Sequence, residues 1–106
     1  MKVTIKEAKH DVVFNYTALK KIQELTNTKI FDIGNLDALE NAPIYLASGI
    51  FGGAKIKDSN LTEMPISVKE CEDYFNQNLS AFYEVSMEMN KSLSNAFAPK
   101  NDKGAK

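Results

Sequence analysis

The sequence contains very few of the side chains that carry out catalysis or hold metals. Its 106 residues include one cysteine, Cys71, and one histidine, His10. A single cysteine excludes an internal disulfide, and zinc sites need paired cysteine or histidine ligands that the chain lacks. Because the two residues fall in different predicted elements, a pair of nucleophile and base is not expected. We therefore predict no enzyme activity, no metal and no cofactor.

Arginine is absent altogether, so all 13 basic residues are lysines, set against 14 acidic residues. The formal charge is −1, and both signs are spread along the chain. Without net positive charge or the planar guanidinium group, binding to nucleic acid is not expected.

Long apolar runs are missing as well. The stretch 44–51 is too short to span a bilayer, and residues 1–6 lack the apolar run of a secretory signal. We expect no membrane association and a location in the reducing cytoplasm.

Two patterns resemble binding motifs but have simpler structural explanations. Residues 49–55 resemble a phosphate-binding loop, yet the glycine before Lys55 and the hydroxyl residue after it are both missing. The end of a helix is the better interpretation. Five acidic residues fall on the helical region predicted near the C-terminus, three of them in its first turns and two one turn apart further on, where acidic residues are typical of helix N-termini and of solvated helix faces. These residues are Glu70, Glu72, Asp73, Glu84 and Glu88.

The length and composition, with 43% hydrophobic and 25% charged residues, are typical of one globular domain. We assign residues 1–99 to this domain and residues 100–106 to a flexible C-terminal tail. The predicted fold class is mainly α, with a short N-terminal β-hairpin followed by three to four helices, the last one or two long and amphipathic. Alternation in residues 2–6 and the apolar run 12–14 predict the two strands of the hairpin.

Asn15 is placed to cap a first helix that should end near Asn27. Its buried face is expected to hold the apolar residues spaced by three, Tyr16, Leu19, Ile22 and Leu25. The stretch 28–41 reads as a loop with at most one helical turn, at 37–40. Pro43 is then expected in the first turn of a second helix, which Gly52 and Gly53 should end or fray near its C-terminus. The buried side of that helix is predicted to consist of Ile44, Ala47, Ile50, Phe51 and Ala54.

The clearest signal begins at Ser67, which forms a capping-box pattern with Glu70. The apolar residues that follow recur at spacings of three, four or seven and predict one stripe on a helix. The stripe consists of Val68, Cys71, Phe75, Phe82, Met89 and Leu93, with Leu79 and Phe97 at its edge. Since its phase continues through residues 76–78, we expect one long helix, or two with a slight kink. Phe82 lies at the centre of the stripe and should be buried.

Tyr83 and Met87 project from this long helix away from the centre of the stripe. Single exposed apolar residues are common and need no explanation. Flexible methionine and amphipathic tyrosine are, however, enriched at protein interfaces. Tyr83 and Met87 are therefore the candidate partner-binding residues.

Several segments together give the chain the layout of a known family. These are the Lys-Val-Thr-Ile-Lys hairpin, the Phe14-Asn15-Tyr16 entry into a helix, the segment 46–50, and the acidic helix 67–75 with its helical continuation and lysine-rich end. In this layout, which covers most of the chain, the sequence resembles the tail assembly chaperones of long-tailed, siphovirus-type bacteriophages. The resemblance carries no site residue over.

The resemblance implies a non-enzymatic protein that acts in the cytoplasm of the infected cell. Members of the family coat the long, aggregation-prone tape measure protein and help to recruit tail tube subunits around it. In many members a ribosomal frameshift adds a second domain. The tape measure and tail tube proteins are thus the expected partners, and self-association stays open. The alternative is a small intracellular regulatory or adaptor domain that binds one folded partner.

Overall fold

The computed structural model describes residues 1–97, while residues 98–106, including the expected tail, lie outside the described residues. The hairpin consists of β1 (Lys2–Ile5) and β2 (Ala8–Asp11). The helices that follow are α1 (Tyr16–Thr26), a 3₁₀ helix (Ile30–Asn35), α2 (Ala38–Lys57), α3 (Val68–Gln77) and α4 (Leu79–Phe97). The predicted fold class is confirmed. Within residues 1–97, no helix is both long enough and apolar enough to cross a membrane.

The hairpin turns earlier than predicted. Ile5 pairs with Ala8, so Lys6 and Glu7 alone form the turn. Both have positive φ angles, 52° and 68°, as a type I′ turn requires. The prediction of a second strand at 12–14 was wrong, because β2 ends at Asp11. Neither turn residue is the glycine or asparagine that usually marks such a turn, so the sequence carried no signal for it.

Ion pairs attach the hairpin to the helices. Asp11 lies within 2.9 Å of Lys57 at the end of α2, and Lys6 lies 3.0 Å from Glu70 on α3. Hydrogen bonds from Lys2 and Lys57 lower the pKa of Asp11 to about 2. The apolar face of the hairpin, Val3 and Ile5, is buried in the core, and this burial contributes more to the position of the hairpin than ion pairs whose lysines are exposed.

α1 is capped as predicted, but its buried face is narrower. The Asn15 side chain accepts a hydrogen bond from the Ala18 N–H at 3.1 Å, and Asn27 ends the helix with φ 53°. Leu19 and Ile22 are buried, whereas Tyr16 and Leu25 are exposed, contrary to the prediction. Residues spaced by three drift about 60° per step around a helix, so the first and last of four lie on opposite sides.

α2 begins five residues before Pro43, so its predicted start was wrong. The Asp37 side chain accepts a hydrogen bond from the Leu39 N–H at 3.3 Å, and its carbonyl accepts one from the Asn41 N–H at 3.1 Å. Pro43 therefore lies in the second turn of the helix. It cannot donate to the carbonyl of Leu39, a residue in the exposed first turn of the helix.

The middle of α2, residues 45–53, is buried on all sides and forms the centre of the domain. The segment between β2 and α1, residues 12–15, is called the link, and it crosses α2 at the glycines of the helix. The Val13 N–H donates to the Gly49 carbonyl at 3.0 Å, and the Asn15 side-chain amide donates to the Gly52 carbonyl at 3.1 Å. Gly52 and Gly53 do not end the helix as predicted; instead, they let a second backbone segment approach it closely.

Of the two predicted alternatives, one long helix or two with a slight kink, the structure has two helices, with a break at Asn78. The capping box at the start of α3 is confirmed, since Ser67 Oγ accepts from the Glu70 N–H at 3.1 Å and Glu70 accepts from the Ser67 N–H at 3.0 Å. Asn78 has φ −140° and ψ 70°, which are not helical, and α4 restarts at Leu79. Met89 and Leu93 of the predicted stripe are buried as expected, but the break shifts the helical phase, so the buried face of α4 also includes Ala81 and Val85.

The buried residues of α4 are consequently Ala81, Val85, Met89 and Leu93. Phe82, which we expected at the centre of the buried stripe, is only half-buried and packs at the border of the core. The burial predicted for Phe82 was wrong because the break at Asn78 shifts the phase of α4 relative to α3. Leu79, placed at the edge of the stripe, is exposed.

Candidate protein-binding surface

α4 presents a second row of apolar side chains on the side that faces solvent. Leu79, Tyr83 and Met87 are 72%, 65% and 51% exposed. Residues four apart lie nearly above one another on a helix, so the row extends about 12 Å along the axis. The exposure of Tyr83 and Met87 agrees with their predicted position outside the core.

Leu79, the first residue of this row, also lines a groove of about 350 Å³ beside α2. Leu39, which is 69% exposed, lies on one side of the groove, and Leu79 and Phe82 lie on the other. Phe75 and Pro43 also line it. The rings of Phe75 and Phe82 meet edge to face, with centroids 6.3 Å apart. Phe82 is thus held on one side by Phe75, and the rest of its ring lines the groove.

We call the set Leu39, Leu79, Phe82, Tyr83 and Met87 the α4 surface. Four of its five side chains are more than half exposed. Scattered apolar residues are ordinary on a protein surface, but residues gathered along one helix and across one groove are typical of binding sites. The geometry therefore suits the docking of another apolar surface.

The charges that border the groove have one sign. Its lining includes the carboxylates of Glu40 and Glu72 and no lysine. Both acidic side chains are exposed, and neither forms an ion pair with a residue in the range 1–97. Lys69, on the same helix as Glu72, is paired with Asp73 at 3.1 Å. That pairing raises the pKa of Lys69, with Glu72 as a smaller contributor.

The residues with catalytic potential lie elsewhere and are not brought together. Cys71 is fully buried on α3, and this burial, with the charge of Glu70, raises the pKa of its thiol to about 12. A thiol with so high a pKa is a poor nucleophile at neutral pH. His10 is half-buried on β2, and no hydrogen bond joins it to Cys71 in the described part of the chain. No three potential metal ligands are grouped among residues 1–97.

The segment that resembles a phosphate-binding loop is a continuous part of α2 and not a loop. Residues 49–55 are helical, and Gly53 packs against the backbone of Asp11. The Lys55 ammonium group donates to the carbonyls of Ser59 at 3.1 Å and Leu61 at 2.8 Å, so it holds the loop that follows the helix. The predicted helix end was wrong, but the interpretation of the glycines as structural is supported.

The acidic residues at the start of α3 serve the helix, as expected. Glu70 accepts hydrogen bonds from the Ser67 backbone N–H and from Lys6, which lower its pKa to about 2. This carboxylate is therefore engaged within the fold. Burial raises the pKa of Tyr74, and the charge of Glu84 raises it further. Neither arrangement points to a reaction.

A second concave region of about 400 Å³ lies between α1 and α2. Tyr16 and Lys20 border it, and Lys21 lies over the Phe51 ring at 5.2 Å from its centroid. Lys21 also pairs with Glu24 at 2.9 Å. Because Lys21 and Lys55 are already engaged within the protein, this region is a weaker candidate than the α4 surface.

Sequence reasoning found two of the five residues of the α4 surface. Leu79 could have been found, because it lies four residues before Tyr83 as Met87 lies four after it. Phe82 was misassigned to the core by the helical phase. Leu39 had no signal, because only the packing of α2 beside α4 brings it to the groove. Comparison with known proteins gave no matching family model, curated protein or solved structure.

Proposed function

We propose that this protein is a non-enzymatic assembly chaperone that covers an apolar helical segment of another protein with its α4 surface. The observation that supports the proposal is the row Leu79, Tyr83 and Met87 on the solvent side of α4, beside Leu39. In the phage setting that the sequence layout implies, the partner is the tape measure protein. Tail tube subunits would then replace the chaperone in the cytoplasm of the infected cell.

The size of the α4 surface suits reversible binding. Complete burial of one leucine, methionine or aromatic side chain contributes about 1.5–3 kcal/mol. Association itself costs several kcal/mol in lost translational and rotational freedom. Five partly exposed side chains therefore support weak to moderate affinity. A chaperone needs such affinity, because it must shield the partner and later leave it.

The test is a double variant, Tyr83→Ser with Met87→Asp, mixed with a helical tape-measure fragment. The wild-type protein should keep the fragment soluble in a light-scattering assay, and the variant should not. A charge placed in an apolar contact must be desolvated without compensation, which weakens binding. The melting temperature should change little, because exposed substitutions usually stay within about 0.5 kcal/mol.

The matched control is Tyr16→Ser with Ile56→Asp, which changes an exposed tyrosine and an exposed aliphatic residue on other elements, 80% and 66% exposed. This variant should protect the fragment like the wild type. Equal protection by both variants would place the binding surface elsewhere. Failure of the wild type to protect the fragment at all would favour a regulatory or adaptor domain that binds a folded partner.

A further inference from the structure

The occupant of the α4 surface must match a straight apolar row, which begins at Leu79 in the groove and continues beyond it through Tyr83 and Met87. The exposed residues of α4 recur every four positions, and Leu39 lies across the groove from the first of them. A second helix with apolar residues at positions i, i+3 or i+4, and i+7 presents a row with the same repeat. An extended strand would need an unpaired sheet edge for its backbone, and the groove is lined by helices.

The occupant must also match two carboxylates. Glu40 and Glu72 both line the groove, and no lysine does. When an apolar partner covers the groove, these carboxylates lose part of their hydration, which opposes binding unless a cation replaces the lost water. A partner with acidic side chains at the same places would add repulsion between like charges. The groove thus selects by charge as well as by apolar contact.

We infer that the α4 surface binds an amphipathic helix whose apolar stripe is flanked by lysine or arginine side chains, which pair with Glu40 and Glu72. The inference rests on the proposed function and specifies its partner. Apolar contact provides most of the attraction, while the two carboxylates orient the helix and exclude acidic helices. The two carboxylates at the border of the groove thereby distinguish basic partner helices from acidic ones.

The experiment compares two designed helical peptides, each about three heptads long, with the same leucine stripe. One carries lysine and the other glutamate at the flanking positions. Fluorescence anisotropy at low salt should show the lysine peptide binding at least about tenfold more tightly. Raising the salt to about 1 M should reduce this ratio, since exposed charges are screened.

Two double variants, each of which removes two negative charges, test whether the groove carboxylates cause the preference between the peptides. Glu40→Gln with Glu72→Gln should reduce the ratio between the peptides to below about threefold. Glu7→Gln with Glu63→Gln removes two exposed carboxylates outside the groove and should leave the ratio unchanged. Equal binding of both peptides to the wild type, or an equal effect of both double variants, would overturn the inference.

A second copy of the chain is the competing occupant. Sedimentation velocity of the wild type and of Leu79→Asp tests it, and a dimer that the substitution converts to a monomer would overturn the inference in favour of self-association. The outcome for the proposed function is separate. If neither peptide binds but the tape-measure fragment stays soluble, the inference fails alone; if the lysine peptide binds but the fragment precipitates, the proposed function fails alone.

Discussion

The substitution Gly52→Ala tests how the link between β2 and α1 is held on α2. A Cβ atom at this position would lie 2.5 Å from the Asn15 Oδ1 atom and 3.0 Å from the Ala18 Cβ atom, and it would meet the Val13 carbonyl oxygen. The Val13 oxygen belongs to the backbone and cannot rotate away. The link must therefore move off the helix when the methyl group is introduced.

The expected loss of stability combines several effects of that movement. Forcing a methyl group into a packed contact costs about 1–3 kcal/mol. Displacing Asn15 weakens its cap on α1, worth about 1 kcal/mol, and its hydrogen bond to the Gly52 carbonyl, worth about as much. The higher helix propensity of alanine offsets about 1 kcal/mol of this loss in stability. We expect a net loss of about 2–4 kcal/mol, and a melting temperature lower by at least about 8 °C.

The measurement is urea unfolding followed by circular dichroism, with Gly34→Ala as the matched control. A Cβ at Gly34 would meet no atom within 4 Å, so that substitution should be neutral or slightly stabilising. If Gly52→Ala were as stable as the wild type, the close approach of the link to α2 would not contribute to the fold, and the argument from these glycines would be refuted.

Three further predictions concern other parts of the molecule. Phe82→Ala should cost about 1–2 kcal/mol in urea unfolding, and Val85→Ala at least as much despite its smaller change, because Val85 is fully buried and Phe82 is not. The free energy of unfolding should fall as the pH drops from about 4.5 to about 2. The reason is that Asp11 and Glu70 have pKa values of about 2 in the folded protein, so the unfolded chain takes up protons first. Glu70→Gln should make this dependence on pH shallower. Cys71 should react with a thiol reagent only at the rate of unfolding, because it is buried and its pKa is raised to about 12. Fast labelling of the folded protein would contradict the position of Cys71 in the core.

Local signals in the sequence were sufficient to predict the starts of two helices. Asn15 and Ser67 both cap the helices that follow them, as predicted. A cap depends on hydrogen bonds between residues two or three positions apart, so neighbouring residues determine it. The fold class and the buried α3 face were predictable from apolar periodicity, which likewise depends on residues close together in the chain.

The positions that sequence reasoning missed depend on distant contacts. Glycines within a helix usually indicate its end, but Gly52 continues α2 because the link from β2 packs against it. Pro43 usually indicates a helix start, but Asp37 caps α2 one and a half turns earlier. In both places a contact or cap outweighs the local preference of the residue.

The sequence by itself determined that this protein is mainly helical, where α1 and α3 begin, and that Tyr83 and Met87 lie outside the core. Only the tertiary structure decided that Ala81 and Val85, and not Phe82, complete the buried face of α4, and that Leu39 lies beside Leu79. The non-helical backbone of Asn78 rotates α4 relative to α3, and the packing of α4 on α2 selects the face that is buried. Helical periodicity alone does not fix the phase of a helix across such a break, because the angle between two helices is set by the residues that pack between them and not by their spacing along the chain.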